Sequence, residues 1–307
     1  MGAAPTAAHR APHHPEEGST PRMTTEVILT GTGVPHPRPG RAGPGALVRY
    51  GDTALQFDAG RATVLRLMEA GTPPHALSAV FLTHVHSDHV VGLPDVAMTR
   101  WIQQQLAPSG PLVVVAAQGL ASRFVQRMLD PYDDDLALRV EHVGAAPIEV
   151  ALRTFEVPIS PEVVWTSTDG SVRVLAVAVH HEPVPEAVAY RIETPDAVVV
   201  ISGDTRVCPE VEQLSAGADV LVHEACRTSA MAPMIAGTVF ETIFSYHADT
   251  VELGAMAARA DVSHLVLTHL IPPPESPGDA DAFTQDLREG GYKGRVTVGV
   301  DLTTITL

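Results

Sequence analysis

The segment Thr83-His84-Val85-His86-Ser87-Asp88-His89 gathers three imidazoles and a carboxylate into six residues. Side chains of these types at this density are suited to binding metal ions. The preceding run Ser78-Ala79-Val80-Phe81-Leu82 is short, apolar and follows Pro73-Pro74, so it predicts a buried strand ending at Thr83. The histidines then lie on the loop leaving that strand. There His84 and His86 can face one point while Asp88 and His89 face a second, so one segment can feed two neighbouring ions. Imidazole with carboxylate suits Zn2+ best, with Mn2+ or Fe2+ as alternatives. A solvated polar loop is the ordinary explanation for a lone histidine, and it does not account for this cluster.

Four side chains cannot fill two coordination shells, so further ligands must come from loops that the fold brings alongside. Three places qualify: His180-His181 after the apolar run Val172–Val179, Asp204 within Ile201-Ser202-Gly203-Asp204-Thr205, and His269 after Leu265-Val266-Leu267-Thr268. Each follows a predicted buried strand, as the first motif does. Strand ends on one edge of a sheet make one site.

The elements that would position these groups alternate. Strands are expected at Glu26–Thr30, Gly45–Tyr50, Thr53–Phe57, Leu112–Ala116, Arg139–Val143, Glu149–Glu156, Tyr190–Glu193, Ala197–Ser202, Val220–Val222 and Leu265–Leu267. Helices are expected at Thr63–Ala70, Gly92–Leu106, Leu120–Leu129 and Asp249–Arg259, the last opened by Asp249 and Glu252 as a capping box. Asp130–Asp135 reads as an acidic solvated turn. The class is therefore α/β or α+β with layered sheets. With 307 residues and 45% hydrophobic content the chain has the make-up of an ordinary globular protein. One domain over residues 25–307 is expected, behind a disordered tail over residues 1–24 that is rich in Ala, Pro, His and Gly and holds His9, His13 and His14.

Lys and Arg number 20 against 36 Asp and Glu, a net charge of −16 that disfavours nucleic acid as a partner. Two cysteines make no disulfide framework, and no run is apolar enough to span a bilayer, so no membrane partner and a cytoplasmic location are expected. The sequence leaves a homodimer open.

Taken together and in order, Gly31-Thr32-Gly33, Phe57-Asp58-Ala59-Gly60, the His84–His89 run, Gly92-Leu93-Pro94, Ala189-Tyr190-Arg191, Ser202-Gly203-Asp204-Thr205, His223-Glu224-Ala225, His247 and Leu267-Thr268-His269 resemble the metallo-β-lactamase fold superfamily. Within it the resemblance is to the ribonuclease Z-like branch, which includes arylsulfatase-type hydrolases, and it covers nearly all of residues 26–307. It implies an αββα four-layer sandwich. It further implies that His84, His86 and His181 hold one metal ion, that Asp88, His89 and His269 hold the other, and that Asp204 bridges them. His181 is preferred to His180 from the segment leading to Ala189-Tyr190-Arg191. His247 corresponds to a catalytic helper histidine, Glu224 to a carboxylate near it, and Asp58 is expected to hold a ligand histidine from behind. The implied chemistry is hydrolysis by a hydroxide bridging the metals, with Asp88 accepting a hydrogen bond from it, His247 protonating the leaving group or steadying the oxyanion, and Glu224 fixing the orientation of His247.

Two departures direct the choice of substrate. Ribonuclease Z enzymes carry a long arm before the bridging aspartate, whereas here only Thr194-Pro195-Asp196 separates the two strands. Cys226 stands where the family often has threonine, and a buried inert thiol is the expectation there. With the negative charge, the missing arm favours a small-molecule phosphodiester or sulfate ester. Met231, Met234, Ile235, Phe240 and Phe244, in the loop expected over Thr228–Tyr246, suggest either a packing cluster or a wall for an apolar or aromatic substrate group. Trp101 carries the same two readings. A lactone or other acyl ester is the alternative substrate. An iron oxidoreductase, a tRNA 3′-processing endonuclease and a catalytically dead binding protein rank lower.

Overall fold

In the computed structural model, which describes residues 23–307, the apolar runs assemble into two seven-stranded sheets. The first runs Thr304–Thr306, Glu26–Gly31, Gly45–Tyr50, Thr53–Phe57, Ala79–Phe81, Leu112–Ala117 and Val150–Phe155 across its width. The second runs Arg295–Val298, His264–Ile271, Val220–Cys226, Val198–Ile201, Val188–Glu193, Arg173–Ala178 and Glu162–Thr166. The tail expected to be disordered, with His9, His13 and His14, lies outside the described residues except for Met23 and Thr24.

Three layers of core follow from the two-residue period of the strands. Val27, Leu29, Phe57 and Phe81 of the first sheet meet Tyr190, Ile192, Val199 and Val222 of the second between the sheets. Leu47, Val80, Leu82 and Val114 point the other way, beneath the helices Thr63–Glu69 and Leu93–Gln103. Leu221, Leu265 and Leu267 likewise lie under Thr250–Arg259 and Pro277–Glu289, whose Leu253, Met256, Phe283 and Leu287 cover them. Because both faces of each sheet are covered, the central strands are apolar throughout rather than alternating. The order of layers is αββα.

Parallel register brings the functional residues to one edge. Phe57 pairs with Phe81, so Asp58 and the Thr83–His84 loop leave side by side. In the other sheet Ile201 pairs with Val222 and Thr268 with Glu224, so Asp204, Glu224 and His269 lie at the same level.

Tyr190 ties the sheets together at that edge. Its fully buried ring packs 5.5 Å from Phe57 and 5.4 Å from Phe81, and its hydroxyl donates to the Leu82 carbonyl at 2.7 Å. Tyr190→Phe removes the donor and leaves that carbonyl unpaired, which should cost about 1–3 kcal/mol in urea unfolding. An unchanged midpoint would show that this bond contributes nothing.

Several local expectations need correction. Arg139–Val143 is not a strand but the end of a helix, Asp133–Val143. The acidic stretch supplies its first turn, where Asp133, Asp134 and Asp135 complement the helix dipole. Thr228–Tyr246 is not an open loop, since it contains the helices Thr228–Ile235 and Val239–Phe244. Met231, Ile235 and Phe244 there pack with Val34, Cys226 and Ile271. Trp101 is a core residue, its indole N–H donating to the Ala146 carbonyl at 2.8 Å. Among the described residues no helix is long and apolar enough to cross a membrane.

Candidate metal centre

His86 ends the extended loop after the strand Ala79–Phe81 and precedes the single helical turn Ser87–Val90, which carries Asp88 and His89 into the interior. That turn is seated on the segment Phe57-Asp58-Ala59-Gly60. The Ala59 N–H donates to the His89 carbonyl at 2.7 Å, and a Cβ on Gly60 would collide with the Asp88 carbonyl and with Gly43. Two non-glycine residues at the site adopt left-handed backbone, Asp58 at φ 55° and His269 at φ 43°. Such conformations cost energy and concentrate at functional sites.

The predicted ligands converge in two groups. His86 Nδ1 lies 3.0 Å from His84 Nε2 and 3.1 Å from His181 Nε2. Asp88 Oδ2 lies 3.7 Å from His89 Nε2 and 3.4 Å from His269 Nε2. Asp204 Oδ2 faces both groups, at 3.2 Å from His269 Nε2, 3.3 Å from His89 Nε2, 3.8 Å from His181 Nε2 and 4.0 Å from His84 Nε2. His180 is not part of this cluster. Its side chain is 42% exposed and faces Glu210.

The neighbours of the histidines fix which nitrogen holds the proton. Thr83 Oγ1 donates to Asp58 Oδ2 at 2.7 Å, so it accepts from His84 Nδ1 at 3.0 Å and leaves His84 Nε2 a bare lone pair. His89 Nδ1 donates to the same Asp58 oxygen at 2.8 Å, and His181 Nδ1 to the Tyr246 carbonyl at 3.3 Å. Asp58 thus holds His89 directly and His84 through Thr83. Lone pairs aimed at one another are repulsive. In addition, Asp88 Oδ2, His89 Nε2 and His269 Nε2 are buried with no hydrogen-bond partner among the described residues. Buried groups of this kind are rare unless something satisfies them, and the N and O donor set fits divalent cations.

Electrostatics separate the two groups. Burial, reinforced by His89, holds His84 well below the usual imidazole range, and burial with His181 lowers His86, so both are neutral donors. Burial opposes charge on His89 as well, but Asp204 and Asp58 outweigh it and raise this histidine well above its ordinary value. Asp204 is correspondingly held well below the carboxylate range, His269 and His89 overcoming its burial. A cation held between these groups would take the place of the proton that the carboxylates otherwise draw.

Beside the cluster, His247 stacks on His269 with ring centroids 5.5 Å apart and interplanar angle 14°. Its Nδ1 donates to Glu224, 2.8 Å from Oε2 and 2.9 Å from Oε1. Glu224 is fully buried and also accepts from the Thr205 N–H at 2.7 Å. Burial works against a charged His247, yet Glu224 prevails through its charge and hydrogen bond, raising the imidazole to about 9. A cavity of about 390 Å³ opens next to His247 and His269, walled by Met231, Phe240, Ile243 and Phe244, with His36 and Arg38 on its polar side. Cys226 is fully buried and its thiol is pushed up to about 12 by burial, so it is inert. Sequence reasoning passed over Thr83 and Thr205, whose roles depend on contacts distant along the chain.

The family model described as Beta-lactamase superfamily domain matches residues 53–270. A ribonuclease Z of Mycobacterium bovis (strain BCG / Pasteur 1173P2) is 36% identical over 277 residues, 90% of this chain and 96% of that protein. The chain belongs to the ribonuclease Z-like branch of the metallo-β-lactamase superfamily. A ribonuclease Z of Mycobacterium marinum is also 36% identical, over 281 residues. Among solved structures, a metallo-β-lactamase fold protein from Bacillus subtilis has a TM-score of 0.70 at 20% identity, covering 92% of this chain and all of its own. A short-form human tRNase Z has a TM-score of 0.67 at 20% identity, covering 91% of this chain and 98% of its own. The protein is a metal-dependent hydrolase of the metallo-β-lactamase fold, a fold that implies divalent metal ions.

Membership in the ribonuclease Z-like branch overturns two expectations. A small-molecule phosphodiester or sulfate ester, with a lactone as alternative, was placed ahead of RNA, and nucleic acid was excluded as a partner. Relatives at this identity and coverage are named ribonuclease Z. The hairpin at Thr194–Ala197 is indeed tight, its Thr194 N–H donating to the Ala197 carbonyl at 3.0 Å, so an arm at this one position is not a requirement of the family resemblance. Net charge misled because it sums the chain without locating the charges. Asp58, Asp88, Asp204 and Glu224, for example, are buried and present no charge to an approaching phosphate backbone.

Proposed function

We propose that the protein is an RNA endonuclease of the ribonuclease Z type that cleaves a phosphodiester of precursor tRNA to form its 3′ end. The observation that carries this reading is the 36% identity over 90% of the chain to proteins of that name, joined to an edge-of-sheet site with two groups of metal donors. Two ions, Zn2+ by the balance of imidazole and carboxylate, would be held by His84, His86 and His181 and by Asp88, His89 and His269, with Asp204 shared. When bound, such ions lower the pKa of water and offset charge that develops on the attacked phosphate.

The chain's own residues complete the site. Asp88 presents a carboxylate that accepts a hydrogen bond from the attacking water. His247, with Nδ1 tied to Glu224, offers its Nε2 proton to the departing ribose oxygen, and Glu224 sets the ring's orientation. The apolar wall of Met231, Phe240, Ile243 and Phe244 suits a nucleobase beside the scissile bond, while Arg38 and His36 suit a neighbouring phosphate. A cytoplasmic location accords with this substrate and with two unpaired thiols.

The test uses a precursor tRNA with a 3′ trailer at physiological ionic strength. Metal-loaded protein should release the trailer by a single cut, chelation should stop the reaction, and Zn2+ should restore it. Random degradation, or no cut by protein holding both ions, would overturn the reading.

A further inference from the structure

Next to the metal centre but facing away from it, His180, Cys208 and Glu210 bring one imidazole nitrogen, one sulfur and one carboxylate oxygen within 4.8 Å of one another. The His180 N–H donates to Thr205 Oγ1 at 3.2 Å and the Arg206 N–H to the His180 carbonyl at 3.1 Å, which clamps the 205–208 loop against the His180-His181 segment. Pro209 then starts the helix Pro209–Leu214, with Cys208 extended at φ −147° just before it and Glu210 in its first turn.

The three groups converge and leave one buried acceptor, Glu210 Oε2, without an aligned donor. His180 Nε2 lies 3.3 Å from Glu210 Oε2, yet this oxygen is shielded from solvent and has no aligned hydrogen-bond partner among the described residues. Buried acceptors without a partner also mark the main centre, at Asp88 Oδ2, His89 Nε2 and His269 Nε2. Cys208 closes the third side and is buried, while the His180 and Glu210 side chains remain 42% and 32% exposed, so an ion can enter from solvent and keep a water as its fourth ligand. A nitrogen, sulfur and oxygen set excludes the oxygen-seeking Mg2+ and Ca2+ and favours borderline-soft ions.

We propose that His180, Cys208 and Glu210 form a third metal site that takes Zn2+ or another thiophilic divalent ion. As the metal–sulfur bond forms, the thiol proton leaves to solvent. Without a cation, burial and the Glu210 charge keep that thiol protonated.

Titration of the metal-free protein with Co2+ tests the site, because only a thiolate ligand produces the near-ultraviolet charge-transfer band and the main centre's donors include no sulfur. The band should grow as a third equivalent binds. Cys208→Ser should abolish it and leave about two equivalents. Cys226→Ala should retain it. His180→Ala and Glu210→Gln alter partly exposed side chains and should preserve the fold. Each should weaken the third equivalent by more than the roughly 10–100-fold that loss of a merely supporting partner costs. Asp204→Asn, which disables the main centre, should keep the band, so failure of one site is distinguishable from failure of the other. Absence of a band at three equivalents, or its survival in Cys208→Ser, would overturn the proposal.

Discussion

Asp204→Ala is expected to release the metal ions from both donor groups and to abolish RNA cleavage while the fold persists. Asp204 Oδ2 lies between 3.2 and 4.0 Å from four histidine Nε2 atoms drawn from both groups, a position occupied by no other carboxylate of the cluster. In the proposed arrangement, removing it takes a shared ligand from each shell and the carboxylate that faces all four imidazoles. The loss in metal affinity should exceed the roughly 10–100-fold typical of an outer supporting group. Asp58→Asn provides that comparison, because Asp58 acts through His89 and Thr83 rather than facing the ions. Metal per chain after gel filtration, measured by mass spectrometry beside the circular dichroism spectrum, checks both. An Asp204→Ala protein that keeps two ions would remove this residue from the bridging role.

His247→Ala should slow precursor tRNA cleavage by roughly 10²–10⁴-fold with metal content unchanged, the range expected for loss of a general acid. A ribose oxygen is a poor leaving group and needs a proton, whereas nitrophenolate departs unaided. The same variant should therefore lose far less activity toward bis(p-nitrophenyl) phosphate. Glu224→Gln should shift both substrates in the same direction by less, since it loosens the ring without removing its proton donor. The measurement is kcat/KM for each protein on each substrate. Equal losses on the two substrates would mean that His247 positions the RNA rather than protonating the leaving oxygen.

Much of the architecture was legible because local pattern and global fold agree. The runs around Val80, Val200, Val222 and Val266 are strands covered on both faces, and such strands announce themselves as unbroken apolar segments. Failures occurred where a short segment supports two structures. Arg139–Val143 has enough β-branched and apolar character to pass for a strand, but three aspartates upstream start a helix that runs through it. In the 228–246 region Gly237, at φ 71°, separates two short helices, and Pro233 sits inside the first of them.

The sequence by itself determined the chemistry available: imidazoles and carboxylates placed after buried strands, in an order that marks the metallo-β-lactamase superfamily. It also determined the strand runs that carry them. Only the tertiary structure decided where each group points. His180 and His181 are adjacent and chemically identical, yet one faces Glu210 and the other joins His84 and His86, because neighbouring residues leaving a strand project to opposite sides. Pairing of Phe57 with Phe81 sets Asp58 against His89 and Thr83, and pairing of Thr268 with Glu224 sets His269 level with the carboxylate that holds His247. Substrate choice was likewise beyond composition, since a summed charge of −16 does not reveal that several of its carboxylates are buried rather than displayed at the surface.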